Sequence, residues 1–314
     1  MENNILPITL AIPTMNRPQT LKRTLESYLA ADFLPAQIII VDQSAEQETR
    51  KQNEQLLNIF PADVAKSYLY QEVPSLTKAR NFALHNAEQE ISVYSDDDID
   101  VYKDTLKNVY DLFQNKDIAM IAGLDDCSLK SKTNIGYLLG TKSFAKRKIG
   151  HVTKSMLSRY PDTIKGEIPT EWAMGYFFAI RTILAKKWAL TWDENLTSYA
   201  YAEDLDFSYS YYKHAEAEGL KSILSDKVHV KHLVSKEYRT PSKKATYMYV
   251  CHRYYLLCKH KEGLMGKAAF WYCNFWRFIE RIIKKQQPKD MFDAMVYCFK
   301  NSKKIGKGGL NFPV

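Results

Sequence analysis

Along the first hundred positions, short apolar runs typical of strands alternate with segments whose apolar residues recur at the spacing of a helix. Residues 6–12 (LPITLAI) and 37–44 (QIIIVDQS) are short apolar runs rich in β-branched residues, which predicts two strands. Between them, Asn16 and Pro18 precede the segment TLKRTLESYLA, whose apolar residues recur at helical spacing, so we predict a helix there. The same reading predicts further strands at 68–73 and 90–98 and further helices at 49–60 and 75–87.

This β-α-β-α order predicts a doubly wound α/β fold with a mixed, mostly parallel, Rossmann-like sheet. In such sheets ligands bind beyond the carboxyl ends of the strands. Asp42 and Asp96 fall at two of these strand ends, so their position alone makes them candidate site residues.

The rest of the chain divides into a less regular middle and a helical end. The predicted elements are a helix after Asp104, loops with short elements at 123–170, an apolar segment around Gly175 at 171–180, a helix at 202–220, an edge strand at 225–235, and helical runs from about 244, including 267–285. We therefore predict an α/β domain over residues 1–235 and a helical, basic and aromatic extension over 236–314.

The segment YSDDDID at 94–100 places four carboxylates within five residues. Asp96, Asp98 and Asp100 have the spacing of calcium-loop ligands, but Val101 and Lys107 occupy the positions that such a loop gives to Gly and Glu, which excludes an EF-hand. An acidic helix N-terminus accounts for Asp100 but not for three consecutive acids after a buried strand. The remaining Asp-x-Asp predicts a Mg²⁺ or Mn²⁺ site that binds a substrate's diphosphate.

No glycine-rich phosphate loop is present in the sequence. Neither G-x-G-x-x-G nor G-x-x-x-x-G-K-[ST] occurs, which disfavours dinucleotide and P-loop modes of binding. Without such a cradle, a metal ion is the natural partner for the phosphates.

The formal net charge of +8 is unevenly distributed. Residues 228–314 hold 18 Lys and Arg against 5 Asp and Glu, whereas residues 1–227 hold 26 against 31. The C-terminal part therefore favours an anionic neighbour, which is a nucleic acid, a phospholipid surface or a phosphate-bearing acceptor. A solvated helical face is the alternative interpretation.

Three features predict a cytoplasmic protein. The first eighteen residues lack a basic segment followed by an apolar one, so we expect no signal peptide. No apolar run reaches eighteen residues, so no spanning helix is expected. The five cysteines are odd in number and lack C-x-x-C spacing, which fits a reducing compartment and argues against a zinc site.

Five motifs, in order, resemble family 2 glycosyltransferases. They are AIPTMNRPQTLKRTLES, IIIVDQS, LTKARNFALHNA, VYSDDDI and the AED of 202–204, and the resemblance covers roughly residues 6–235. It implies the A-type glycosyltransferase fold, a nucleotide-diphosphate sugar donor and inversion at the anomeric carbon, with residues 1–235 as the nucleotide-sugar-binding catalytic domain.

The resemblance also implies which residues contact the donor. The family often has two acids where this chain has Asp42 followed by Gln43, so a UDP, dTDP or GDP donor stays open. The implied nucleotide-sugar contacts are Pro13, Thr14, Arg17, Asp42, Lys78, Arg80, Asp96 and Gly175. For Lys78 a solvated charge, and for Gly175 a packing glycine, are the alternatives.

The family's Glu-Asp motif matches Glu203 and Asp204. A carboxylate there takes the proton of the acceptor hydroxyl, and we assign this role to Asp204, with Glu203 positioning the acceptor or serving as base instead. Asp206 is read as an ordinary acid at a helix N-terminus.

The metal ligands implied are Asp98, Asp96 and His232, with His229 a weaker candidate. Imidazole suits Mn²⁺ better than Mg²⁺. A structural histidine is the alternative for His232.

Residues 244–285 interleave Lys and Arg with Trp and Phe, which predicts association with an anionic membrane surface and a glycan or lipid-linked acceptor. This implies a peripheral position on the inner face of the cytoplasmic membrane and a role in capsule, lipopolysaccharide or other surface-glycan synthesis, without a nucleic-acid partner. A packed helical subdomain is the alternative. Rival functions are a sugar nucleotidyltransferase, which usually has a glycine-rich N-terminal loop, and a non-catalytic glycan- or nucleic-acid-binding protein, which leaves Glu203 and Asp204 unexplained.

Overall fold

The computed structural model describes residues 4–126, 135–141, 144–145, 149–161, 164–197, 201–234 and 242–313. In chain order the elements are β1 (Ile5–Thr14), α1 (Pro18–Leu29), β2 (Leu34–Asp42), α2 (Gln47–Leu56), β3 (Ala65–Tyr70), α3 (Leu76–Asn86), β4 (Ile91–Ser95), β5 (Ile99–Val101), α4 (Thr105–Leu112), β6 (Ile118–Asp125), β7 (Phe144–Ala145), β8 (His151–Val152), β9 (Ser158–Pro161), β10 (Glu167–Pro169), β11 (Phe177–Arg181), α5 (Thr182–Lys187), α6 (Glu203–Ala217), β12 (Lys221–His232), α7 (Ser242–Lys259), α8 (Gly263–Ile283), α9 (Pro288–Lys300) and α10 (Ser302–Ile305). Short 3₁₀ helices cover Leu57–Ile59 and Ile135–Tyr137.

Among the described residues, the principal sheet has nine strands in the order β10-β12-β6-β11-β4-β1-β2-β3, with β5 paired to β12. Strands β3, β2, β1 and β4 run parallel, as does the pair of β6 and β12. Strand β11 is inserted antiparallel between β4 and β6. The predicted mixed α/β sheet with helices is confirmed, although antiparallel pairings are as frequent as parallel ones among the described strands of this sheet.

The strand predicted at the sheet edge lies inside the sheet. Strand β12 pairs with β6 and β10 along its first half and with β5 near its end. Beyond the register shift between Leu224 and His229 it still pairs with β6, and on its other side it pairs with β5. The prediction of an edge strand was wrong because alternation shows only that one face of the strand is covered. It does not show how many strands pair with it.

Most other predicted elements form with shifted ends. The helix predicted at 202–220 is α6, and the one predicted at 49–60 is α2 followed by the 3₁₀ turn. Residues 123–170 hold the end of β6 and short strands, as expected, as far as they are described. The predicted domain boundary at 235/236 lies outside the described residues.

The helical C-terminal region packs on one face of the sheet. Its residues Leu256, Phe270 and Met291 belong to the same buried cluster as Trp192 and Phe207. The Trp192 and Phe207 rings stack at 3.6 Å between centroids. A second buried cluster, which includes Leu25 and Val109, fills the other face under α1 and α4. The sheet is thus covered on both sides, and its strand ends are left to form the site.

Asp206 ties the C-terminal region to α6. Its carboxylate is 1% exposed, and it accepts from Lys259 Nζ at 2.6 Å and His260 Nε2 at 2.8 Å. The interpretation of Asp206 as an ordinary helix N-terminal acid is therefore incomplete, since the side chain holds α7 in place. No helix among the described residues is long and apolar enough to cross a membrane.

Candidate active site

The acidic turn lies between β4 and β5, at the carboxyl end of β4. Asp96 continues the pairing of β4, because its N–H donates to the Tyr176 carbonyl at 2.9 Å. The next strand, β5, is short and pairs only with β12 among the described strands. The turn is therefore fixed at both ends, and its carboxylates emerge at the carboxyl end of the parallel strands.

Strand pairing brings His232 to this turn from 134 positions further on. Because His232 is opposite Ile99 in the β5–β12 ladder, its Nε2 lies 3.2 Å from Asp98 Oδ1. Its own N–H donates to Asp125 Oδ1 at 3.1 Å. Burial works to lower the pKa of His232, but the hydrogen bond and charge of Asp98 outweigh it, and the pKa is raised.

Ligand atoms of Asp96, Asp98 and His232 all lie within 4.8 Å of one another. Two carboxylates and an imidazole form a donor set that suits a divalent cation such as Mn²⁺. His229 is not in this group, because its Nδ1 lies 2.9 Å from Asp126 and its ring packs on Tyr102. These residues fit a resident metal ion.

Arg80 lies at the centre of the site. It comes from the second turn of α3 and is buried, with Nη1 2.5 Å from Glu203 Oε1 and Nη2 3.2 Å from Asp96 Oδ1. Nη2 also donates to the Gly175 carbonyl at 2.9 Å. One guanidinium thus links the acidic turn, the segment before β11 and the start of α6, a role that its planar fork of donors allows.

Gly175 lies against Arg80 and Asp204. A Cβ built on Gly175 would lie 3.0 Å from the terminal nitrogens of Arg80 and 3.2 Å from Asp204 Cβ. The N–H of Gly175 donates to Asp204 Oδ2 at 2.9 Å. A side chain at this position would displace both groups, so the glycine is required for close approach.

Glu203 and Asp204 begin α6 but differ in access. Glu203 is 5% exposed, and burial raises its pKa to about 8 against the lowering effect of Arg80. Asp204 is half-buried, and burial raises its pKa while the Gly175 N–H and Arg80 work against the rise. Ala202 precedes both with a left-handed φ of 66°, which turns the chain sharply into the helix.

A cavity of about 270 Å³ opens beside these groups. Its wall includes Arg80, Asp96, Glu203, Asp204 and His232 on the acidic side. The rest of the wall is formed mainly by residues of the loop before β9, of the segment before β11 and of the approach to α6: Met156, Leu157, Ser158, Trp172, Met174, Gly175, Tyr176, Tyr201 and Ala202. A partly apolar cleft with converging charged groups is typical of a substrate site.

A neighbouring polar group forms at the end of β1. Thr14 Oγ1 donates to Asp97 Oδ2 at 2.6 Å, and Arg17 Nη1 donates to Asp97 Oδ1 at 3.0 Å. Burial raises the pKa of Asp97 to about 7, and Arg17 and Thr14 oppose the rise. The sequence pattern did not identify Asp97 as a candidate site residue. Only its contacts with Thr14 and Arg17 distinguish it from the acids on either side.

Asp42 is placed differently from the other predicted residues. It is 0% exposed, with Oδ1 accepting from Ser44 N and Oδ2 from Asn53 Nδ2 and Tyr68 OH. The nucleobase of a donor can reach this carboxylate only if Asn53 or Tyr68 moves. Pro13, one residue before Thr14, is buried in the β1–β2 pairing opposite Val41.

Lys78 faces away from the cavity wall. Its side chain is 50% exposed and its Nζ lies 4.0 Å from Glu194. The structure therefore brings together Arg80, Asp96, Asp98, Gly175, Glu203, Asp204 and His232, and it leaves Lys78 and the covered Asp42 outside that group.

Comparisons with known proteins agree with this geometry. The model of the family described as "Glycosyl transferase family 2" matches residues 9–181. A search of curated proteins found no match.

Solved structures share the fold at low identity. The mannosyltransferase PcManGT from Pyrobaculum calidifontis, in complex with GDP-Man and Mn²⁺, is 14% identical with a TM-score of 0.57 over 96% of this chain and 83% of that one. Residues 1–349 of S. aureus TarS are 17% identical with a TM-score of 0.57 over 97% and 88%. GalNAc-T7 with UDP, GalNAc and Mn²⁺ is 16% identical with a TM-score of 0.58 over 86% of this chain and 55% of that one.

The family match covers more than half of the chain, and the similar structures have the predicted A-type fold. The rival readings as a sugar nucleotidyltransferase or a non-catalytic binding protein are thereby set aside. The chain belongs to glycosyl transferase family 2, and it is a glycosyltransferase.

Proposed function

We propose that this glycosyltransferase moves a sugar from a nucleotide-diphosphate sugar to an acceptor hydroxyl, with inversion and with a divalent cation bound at Asp96, Asp98 and His232. The observation that carries the proposal is that Asp204, Asp96 and His232 line one cavity. The donor's diphosphate and the attacking hydroxyl therefore have partners within the same space.

Asp204 supplies the base. Its carboxylate is partly accessible in the cavity, whereas Glu203 is buried and bonded to Arg80. As the acceptor oxygen forms its bond to the anomeric carbon, the bond from that carbon to the diphosphate oxygen breaks, and the hydroxyl proton passes to Asp204. A single displacement of this kind inverts the anomeric centre.

The cation and Arg80 act on the charge of the site. When bound, a divalent cation neutralises a diphosphate leaving group. Arg80 holds Glu203 and Asp96 in place and keeps the negative charges from repelling one another. Gly175 keeps the wall flat where a sugar lies against Asp204.

The donor's nucleotide is proposed to lie at the ends of β1 and β2, near Thr14 and Arg17, with Asp42 accessible to the base after a local rearrangement. Similar structures were solved with different nucleotides, GDP-Man for PcManGT and UDP-GlcNAc for TarS. The proposed donor is therefore a UDP, dTDP or GDP sugar, and Lys78 is proposed as a further contact with it.

We further propose that the C-terminal helices lie on an anionic membrane. The exposed apolar residues of α8 and α9, which we call the apolar stripe, are Leu264, Met265, Tyr272, Phe275, Ile282, Ile283, Phe292 and Phe299. The chain from 228 onward has 18 basic residues against 5 acidic ones. Apolar side chains beside basic ones favour insertion at a negatively charged bilayer surface. This supports peripheral association and a lipid-linked acceptor in surface-glycan synthesis.

Calorimetry with UDP-, GDP-, dTDP- and CMP-sugars, with and without Mn²⁺ or Mg²⁺, tests the proposal. We expect metal-dependent binding of one nucleotide class and its loss in Asp98→Ala. Asp100→Ala is the matched control, because Asp100 pairs with the exposed Arg23 at 2.6 Å. Absence of metal-dependent binding to any of these donors would overturn the proposal.

A further inference from the structure

Four arginines gather where β9 meets the helices α7 and α8. We call Arg159, Arg253, Arg277 and Arg281 the arginine cluster. Among the described residues the cluster contacts a single carboxylate, Glu280, which lies 2.7 Å from Arg277 Nη1. Glu280 is shared, because Lys284 Nζ is 2.6 Å from its other oxygen. The cluster therefore has a large excess of positive charge.

Two members of the cluster are buried without a carboxylate partner in the described chain. Arg159 is 3% exposed and its Nη1 donates to the Ser158 carbonyl. Arg253 is fully buried and donates to the carbonyls of Ser155 and Met156 and to the Asn274 side chain. Carbonyl dipoles satisfy the donors but leave the charge uncompensated.

The cluster adjoins the cavity of the active site. Met156, whose carbonyl Arg253 binds, lines that cavity, and so does Ser158 next to Arg159. The Arg253 guanidinium also lies 4.6 Å from the ring centroid of Tyr249.

Tyr249 connects the cluster to a second part of the wall. Its ring is 5.5 Å from that of Tyr201, which lines the cavity near Asp204. Arg253 is thus connected to the cavity wall both through Met156 and through Tyr249 and Tyr201. This part of the wall is different from the one formed by Asp96 and His232.

The other two members are accessible from solvent. Arg277 and Arg281 are one turn apart on α8, and both are only partly buried. Arg281 Nη1 donates to Thr246 Oγ1 at 3.0 Å, and Arg277 Nη1 donates to the Thr141 carbonyl at 3.3 Å. Each guanidinium has five N–H donors, so both keep donors for a ligand.

The charges of the cluster work against one another. Burial lowers the pKa of Arg159, and the charge of Arg253 lowers it further. Burial and Arg277 lower the pKa of Arg281 in the same way. A bound anion removes this repulsion, and guanidinium groups bind phosphate oxygens with paired, charge-assisted hydrogen bonds.

We propose that the arginine cluster binds a phosphate group of the acceptor, so that the enzyme glycosylates a phosphate-bearing molecule. The proposal rests on the proposed function, because it places the acceptor on the cavity wall next to Asp204. Arg277 and Arg281 contact the phosphate, and Arg159 and Arg253 supply buried positive charge behind them. The phosphate belongs either to a lipid-linked diphosphate or to a phosphorylated sugar.

Anion binding to the metal-free protein tests this site apart from the donor site. Pyrophosphate is titrated into the full chain in EDTA by calorimetry. Arg277→Ala/Arg281→Ala is compared with Lys300→Ala/Lys303→Ala, which removes the same charge from exposed lysines of α9 and α10. We expect the arginine variant to bind pyrophosphate about tenfold or more weakly, with the lysine control equal to wild type.

Three results would overturn the proposal. The first is no pyrophosphate binding by wild type, and the second is equal binding by the arginine and lysine variants. The third is that the arginine variant loses metal-dependent nucleotide-sugar binding to the same extent as pyrophosphate binding, which would assign the cluster to the donor. Retained donor binding with lost pyrophosphate binding supports it, and this result is independent of whether transfer occurs.

Farnesyl diphosphate and glucose 1-phosphate distinguish the two sources of phosphate. Tighter binding of farnesyl diphosphate supports a lipid-linked acceptor, and tighter binding of glucose 1-phosphate supports a phosphorylated sugar. If neither binds more weakly to Arg277→Ala/Arg281→Ala than to wild type, the acceptor role is wrong.

Discussion

Arg80 Nη1 lies 2.5 Å from Glu203 Oε1, across 123 positions of sequence. Both side chains are almost fully buried, and this pair joins α3 to the first turn of α6. The same guanidinium reaches Asp96 at 3.2 Å. The position of Asp204, next to Glu203, therefore depends on an arginine that also neighbours the acidic turn.

Replacing Arg80 should destabilise the fold as well as the site. Arg80→Met leaves the buried Glu203 carboxylate without its partner, which costs about 3–5 kcal/mol. The measurement is urea unfolding followed by circular dichroism. Arg23→Met is the control, since its pair with Asp100 is more exposed and is worth about 1 kcal/mol or less. Equal losses in the two variants would contradict the structural role of Arg80.

Asp204→Asn should abolish transfer and retain the donor. Removal of a general base lowers kcat by about 10²–10⁴-fold, whereas the amide oxygen of asparagine still accepts the Gly175 N–H, and only the Leu205 N–H loses its acceptor. Transfer rate and calorimetric donor affinity are measured side by side. Glu203→Gln should lower the rate less, because Glu203 is held by Arg80. A larger loss in Glu203→Gln would assign the base to Glu203.

His232→Ala should weaken Mn²⁺ binding by about tenfold or more and reduce the preference for Mn²⁺ over Mg²⁺, because the remaining ligands are carboxylates. Metal titration in the absence of nucleotide gives both affinities. His229→Ala is the matched control on the same strand, since His229 pairs with Asp126. An unchanged metal affinity in His232→Ala would make this histidine structural.

His252 should contribute a rise of stability with pH between about 4 and 6.5, against the fall that the raised pKa values of Glu203 and Asp97 contribute in the same window. Burial lowers the pKa of His252 from 6.5 to about 4, and its Nδ1 donates to the Tyr201 carbonyl. At His252 the unfolded chain therefore binds more protons than the folded chain in this window, so the stability that this group contributes is lost as pH falls through it. Over the whole window this loss amounts to about 3 kcal/mol.

Unfolding free energies at several pH values check this dependence. His252→Gln removes this titrating group, so wild type should gain stability relative to the variant as pH rises over the same window. A slope identical to wild type would show that other groups cause the dependence.

Vesicle co-sedimentation should detect the apolar stripe. Wild type should bind phosphatidylglycerol vesicles at low salt and dissociate as salt rises, since basic residues supply part of the attraction. Phe275→Ser/Ile283→Ser should bind less, and Ile183→Ser, an exposed apolar residue of α5, should bind like wild type. Absence of binding at low salt would remove the membrane proposal.

Much of the fold was readable from local pattern. Strands β1, β2 and β4 are apolar runs that end at polar residues, and their helices show the expected spacing. The Asp-x-Asp segment and the Glu-Asp pair were recognisable because their chemistry lies within a few consecutive residues. Strand β12 was misplaced because the number of its neighbours is decided by chain segments far away in sequence.

Hydrophobic periodicity and the acidic motifs are properties of neighbouring residues, so the chain alone specified the α/β order, the acidic turn and the candidate base. Tertiary structure decided which distant side chains meet. Pairing of β12 with β5 places His232 on Asp98, and the tertiary fold brings Arg80 of α3 to Glu203 at the start of α6. It also covers Asp42 with Tyr68 and gathers Arg159 and Arg253 beside the cavity. Such contacts depend on strand register and helix packing, which local spacing does not encode.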